Sequence, residues 1–126
     1  MSAATILVIE PDTAARSMLV EAFVQHTVIV AADAASALEL ANDHDIDLVI
    51  TELLLRGHSG MEFLYEFRTY DDWQDIPVIV YSSLQLEDAV LRSRSWKQLG
   101  IAAYAYKPKT TLQELIAAAQ KALERS

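Results

Sequence analysis

Four of the apolar runs in this sequence end on residues that can do chemistry. Glu10 and Asp12 follow TILVI, Glu52 follows DLVIT, Ser82 and Ser83 close PVIVYSS, and Lys107 with Pro108 follows IAAYAY. Two carboxylates brought together can bind a hard divalent cation, a lysine can neutralise an anion, and a serine hydroxyl can donate a hydrogen bond to it. Other chemistries are poorly served. There is no cysteine, hence no disulfide, thiol nucleophile or thiolate zinc site. His26, His44 and His58 share no metal-ligand spacing and are expected on the surface.

Those residues converge only if the elements before them lie side by side. The strand candidates are residues 5–9, 28–31, 47–51, 77–82 and 101–106, rich in branched side chains and mostly unalternating, as strands covered on both faces are. Between them, apolar residues recur at helical spacing: Ala15, Met18, Leu19, Ala22 and Phe23, then Ala34, Leu38 and Ala41, then Phe63, Leu64 and Phe67. A fourth helix is expected over 84–99, its stripe interrupted by Arg92, Arg94 and Lys97, and a fifth repeats the pattern with Leu112, Leu115, Ile116, Ala119 and Leu123. Asp12 and Asp33 suit helix N-caps, and Gly100 suits a C-cap before the last strand.

Five strands alternating with five helices predict an α/β fold, a doubly wound five-stranded parallel sheet with helices on both faces. At 126 residues, with no linker or repeat, the chain reads as one domain over 1–126. In such sheets ligands gather at the carboxyl ends of the strands. Glu10, Asp12, Glu52, Ser82 and Lys107 all fall on that edge.

Charge narrows the partners. The net value of −8 conceals an uneven distribution: residues 1–55 hold nine acids against Arg16 alone, while residues 56–126 balance nine against nine. An acidic first half argues against direct contact with nucleic acid. No apolar run approaches the ~20 residues of a membrane span, and the N-terminus does not resemble a signal peptide, so a cytoplasmic location without membrane attachment is expected.

The order and spacing of these motifs resemble the receiver domain of two-component response regulators, over essentially the whole chain. The acidic cluster is VIEPD, the phosphoacceptor segment DLVITELLLRGHSGMEFL, the switch hydroxyl PVIVYSS, and the aromatic and lysine GIAAYAYKP. Gly60, eight residues after Glu52, matches the glycine that opens the third helix of receivers. The resemblance implies the flavodoxin-like fold, a histidine kinase or other signalling protein as partner, and a magnesium ion at the acids. It also implies a cis peptide before Pro108.

The departures carry as much meaning as the matches. Position 52 is where receivers place the aspartate that accepts a phosphoryl group, and here it is Glu52. Glu10 fits the first of the paired metal-binding acids, but Pro11 follows it, leaving Asp12 as the next candidate and a doubtful magnesium set of Glu10, Asp12 and Glu52. Arg56 replaces the usual proline after the acceptor. Phosphoryl transfer relies on positioning, and a misplacement of ~1 Å can cost about a hundredfold. One extra carbon in the side chain moves the carboxylate by about 1.5 Å.

Glu52 is therefore expected to reach Lys107 and form a permanent ion pair. Two readings of that pair stand: a built-in partial mimic of the phosphorylated state, or an inert pocket with no switch left. The sequence reads as an atypical receiver, a protein-interaction module independent of phosphorylation. The alternatives are a phosphorylatable, magnesium-dependent receiver and, more weakly, a small flavodoxin-like enzyme. No cofactor beyond magnesium is expected, and none of the histidines looks like a phosphodonor.

Ser82 and Tyr104 correspond to the coupled hydroxyl and aromatic of the family. Arg92, Trp96 and Tyr106 fall on the face formed by the fourth helix, fifth strand and fifth helix, the usual output surface of receivers. They are the expected contacts for a partner or a second copy of this chain. With no effector segment after Ser126, output is expected through another chain, or through the rest of a longer protein.

Overall fold

In a computed structural model, residues 3–57 and 59–125 are described. β1 (Thr5–Ile9), β2 (Thr27–Ala31), β3 (Leu48–Thr51), β4 (Val78–Ser82) and β5 (Ile101–Tyr106) form one sheet in the order β2-β1-β3-β4-β5. All four neighbouring pairs are parallel. The strand boundaries lie within one residue of expectation. The sheet reverses direction of winding beside β1, so the carboxyl ends of β1, β3, β4 and β5 share one edge.

Helices α1 (Thr13–Ala22), α2 (Ala34–Asp43), α3 (Gly60–Phe67), α4 (Asp88–Leu91), α5 (Arg94–Gln98) and α6 (Leu112–Arg125) cover the two faces. Alternate residues of each strand point to opposite faces. Ile6, Val8, Leu48, Ile50 and Ile79 therefore pack with Leu19 and Phe23 on one side and with Leu115, Ala119 and Ala122 of α6. Leu7, Ile9, Val49, Val78 and Val80 pack on the other with alanines of α2 and with Phe63, Leu64 and Phe67 of α3. Burying each large side chain contributes about 1.5–3 kcal/mol, which fixes the strands that carry the site.

The segment 84–99 departs from the single helix expected there. It contains two short helices, α4 and α5, because Ser93 ends one and begins the next. Its hydroxyl donates to the Val90 carbonyl at 2.6 Å and accepts from the Trp96 N–H at 3.2 Å. Ahead of α4 the chain forms no helix, since the Tyr104 hydroxyl donates to the Leu84 carbonyl and accepts from the Leu86 N–H at 3.1 Å. Local periodicity loses to a cap within the segment and to bonds from β5.

The Lys107–Pro108 bond is trans, contrary to expectation; Pro108 lies instead in a 3-10 turn, Lys107–Lys109, where its missing N–H costs nothing. Gly100 does hand α5 over to β5, with φ of +61°. β5 carries one irregularity: Val78 pairs with Ile101 but Ile79 pairs with Ala103, leaving Ala102 as an extra residue.

Arg68, just past α3, ties the amino-terminal ends of β4 and β5 together. Its guanidinium donates to the carbonyls of Trp73 (2.7 Å), Gln74 (3.2 Å), Ile76 (2.8 Å), Leu99 (2.7 Å) and Gly100 (3.4 Å). Among the described residues, no helix is long and apolar enough to cross a membrane.

Candidate functional site

Glu10, Glu52, Ser82 and Lys107 meet at the carboxyl edge of the sheet, each delivered by the strand that precedes it. Glu10 and Glu52 are only 2% and 4% exposed, and Ser82 is fully buried, so their polar atoms must be satisfied within the protein. They are. Lys107 Nζ donates to Glu10 Oε1 at 2.5 Å and to Glu52 Oε1 at 3.0 Å, and it stands 5.3 Å from the centre of the Tyr81 ring. Glu52 Oε1 also accepts from the Ser83 N–H and hydroxyl, each at 3.2 Å. Glu52 Oε2 accepts from the Ser82 hydroxyl and from the N–H groups of Leu53 (2.6 Å) and Leu54 (3.1 Å).

The loop after β3 is shaped to allow this. Gly60 N–H donates to the Leu53 carbonyl at 2.8 Å, and a Cβ on Gly60 would sit 2.5 Å from Leu53 Cα and 2.8 Å from the Glu52 carbonyl oxygen. Only glycine lets α3 start so close to the acidic residue. Ser59 caps that helix, accepting from the Glu62 N–H at 3.1 Å.

The electrostatics follow from the contacts. Burial alone would raise the Glu52 pKa, but hydrogen bonds from Ser82, Leu54, Lys107 and Ser83 outweigh it and lower the value to about 2. For Lys107, burial favours the neutral form, yet the bonds and charges of Glu10 and Glu52 win and raise its pKa. Glu52 is thus a fixed anion and Lys107 a fixed cation across the ordinary pH range.

Other expected residues fall differently. Asp12 is not drawn into the pocket; its side chain caps α1, accepting from the Ala15 N–H at 2.8 Å, while its N–H donates to Glu10 Oε2 at 3.1 Å. The doubtful magnesium set of Glu10, Asp12 and Glu52 is therefore not assembled, and among the described residues no three His, Asp or Glu side chains group to hold a metal. A magnesium ion needs about six oxygen ligands at 2.0–2.1 Å. The residues do not fit it, because a lysine ammonium already lies between the two buried carboxylates.

Trp96 is buried and packs edge-on against Tyr104, ring centres 6.2 Å apart and planes at 90°, so it supports the aromatic instead of standing at an interface. Arg92 is exposed beside Asp88, 4.0 Å away, and Tyr106 is half-buried on β5. His44 is exposed; His26 is half-buried, its Nδ1 accepting from the Ala4 N–H at 3.0 Å, which corrects its expected surface position. His58 lies outside the described residues.

Sequence reasoning placed Ser83 at this edge without giving it a role, and did not foresee Arg16 as a support of the site. Ser83 adds two hydrogen bonds to Glu52. Arg16 clamps the loop after β1, donating to the carbonyls of Glu10 (2.8 Å) and Pro11 (3.2 Å). Its being the lone base among nine acids in the first half was the available signal.

Comparison with known proteins agrees with the fold. The family model for the response regulator receiver domain matches residues 6–120. The DNA-binding transcriptional regulator NtrC of Azospirillum brasilense is 29% identical over 98% of this chain and 25% of its own length, so this chain spans about a quarter of that relative. The chemotaxis response regulator CheY4 of Vibrio cholerae superposes with a TM-score of 0.82 at 20% identity, covering 96% of this chain and 99% of that one. NtrX from Brucella abortus gives 0.80 at 27% identity, over 98% of this chain and 28% of its own. A family match along nearly the full length, on a five-stranded sheet of the same fold, makes this chain a member of the response regulator receiver domain family of two-component signalling.

Proposed function

We propose that this chain is an atypical receiver, a signalling module that binds a protein partner and whose pocket is held by Glu52 in place of a transferred phosphoryl group. One observation carries the reading: the Glu52 carboxylate collects Lys107 and Ser82, the donors that the family resemblance assigns to a phosphoryl group, and adds Ser83 and two backbone N–H groups. With every donor spent, little is left to stabilise an incoming phosphoryl group.

The same contacts run on to the surface. Ser82 Oγ accepts from the Leu84 N–H at 3.0 Å, and Tyr104, turned inward, bonds Leu84 and Leu86. Glu52 thereby props the segment leading into α4 and α5 in one arrangement. A carboxylate carries one charge where phosphate carries ~2, so the arrangement is set by contacts and not by charge alone.

The test has two parts. Wild-type protein incubated with magnesium and acetyl phosphate should show no phosphorylated species by intact mass, whereas phosphorylation of wild type would overturn the reading. Glu52→Gln should shift the amide resonances of Ser82, Ser83, Leu84 and Leu86; if only residues adjoining position 52 move, Glu52 does not hold the output segment.

A further inference from the structure

We propose that the outer face of α6 docks a second copy of this chain, with the two α6 helices side by side and parallel. The surface lies toward the amino-terminal ends of the strands, away from Glu52, and stands whatever the state of that pocket.

Two grooves flank the carboxyl-terminal half of α6. One, of about 760 Å³, runs between α6 and α1, where buried Phe23 and Ala119 lie beneath His26, Asp47 and Glu124. The other, of about 520 Å³, runs between α6 and the chain entering β4 and β5, where Ala118 and Ala122 lie beside Arg68, Lys121 and Arg125. Among the described residues, the first groove is lined by two acids and no lysine or arginine, and the second by three such bases and Asp75, formally −2 and +2. His26 adds no charge while its Nδ1 accepts from the Ala4 N–H. No ion pair among the described residues engages Asp47, Glu124, Lys121 or Arg125, so within one copy these charges are left uncompensated.

The occupant follows from that complementarity. A molecule of net charge −8 repels its own copy unless a face sets bases opposite acids. The two flanks of α6 do this, and do it twice in a symmetric pair.

Symmetry then fixes the orientation. A two-fold axis makes one patch serve on both copies. With the axis parallel to α6, the acidic flank of each copy meets the basic flank of the other. With the axis across α6, acid meets acid and base meets base, which is unfavourable. Lys121 and Arg125 lie within one turn of Gln120 and Glu124, so in the parallel pair opposite charges stand level, as charges flanking a coiled-coil seam do. The crest between the flanks carries exposed Gln113 and Ala117, neutral and small enough at Ala117 for helix axes to approach to about 8–10 Å. Half-buried Ile116 and Leu123 on the acidic flank supply apolar surface for the pair to cover. Arg92 and Tyr106, expected at an output surface, line neither groove.

Sedimentation velocity with charge-exchanged variants tests this. Lys121→Glu/Arg125→Glu has two acidic flanks and Gln120→Lys/Glu124→Lys two basic ones, and all four positions are exposed, so the fold should survive. Wild type should dimerise reversibly. Each variant alone should lose at least about tenfold in dimer affinity, and an equimolar mixture of the two should recover association as a heterodimer. Lys121→Glu and Glu124→Lys singly, read by the same criteria, replace either pair if circular dichroism shows it unfolded.

Wild type that stays monomeric at ~1 mM would overturn the proposal. So would dimers that persist unchanged in both variants, a mixture that does not recover association, or dissociation caused by Arg92→Glu/Arg94→Glu and not by the α6 changes.

Discussion

Replacing Glu52 with glutamine isolates what the charge contributes. The side chain keeps its length and shape, so the pocket stays filled, but Lys107 is left with Glu10 and the donors from Ser82 and Ser83 lose a charged acceptor. The ordinary glutamate value of 4.5 falls to about 2 in the folded protein. At about 1.4 kcal/mol for each unit, the ionised form is favoured on folding by roughly 3 kcal/mol. Removing one partner of a buried ion pair typically costs about 3–5 kcal/mol, an independent figure of the same size.

The pH dependence gives the argument its sign. Because the folded value lies below the unfolded one, the contribution is fully present above the normal carboxylate range and is lost as pH falls from about 5 toward 2. Urea unfolding of wild type and Glu52→Gln at pH 7 should differ by about 3 kcal/mol, or roughly 10 °C in melting temperature. The difference should shrink steadily on acidification, since protonated glutamate and glutamine are then nearly equivalent. A difference under about 1 kcal/mol at neutral pH, or one unchanged down to pH 3, would refute the reasoning.

Two structural positions yield further expectations. Gly60→Ala places a methyl group 2.5 Å from Leu53 Cα, against backbone that cannot swing aside, and should cost about 1–3 kcal/mol in denaturant unfolding while shifting the Leu53 and Leu54 amides. Arg68→Ala removes the donor shared by five carbonyls and should destabilise by at least about 3 kcal/mol, with Arg68→Lys recovering only part of it because an ammonium cannot reach both strands.

Much of this was legible in the sequence where burial decides the outcome. TILVI and IAAYAY give strands at the expected residues because the sheet leaves them no alternative, and Glu10, Glu52, Ser82 and Lys107 were found because each ends such a strand. The segment 84–99 was not legible. The segment was expected as one helix, but Ser93 caps α5 and divides it, and the Tyr104 hydroxyl holds the residues before α4, a bond from another element with no signature in local spacing. Trp96 among arginines looked like a surface residue for the same reason: its neighbour across the core, Tyr104, comes from another element. Asp12 had two readings in sequence, cap and ligand, and the geometry of α1 uses it as a cap.

The extra residue in β5 bears on how this protein meets other molecules. A strand at the rim of a sheet offers unpaired N–H and C=O groups to any extended chain nearby, including another copy of itself. At Ala102 two residues of β5 oppose one step of β4, which bends the strand and breaks the even spacing an added strand would have to match. Indiscriminate strand addition is thus disfavoured at that step, where the backbone of the rim is out of even register.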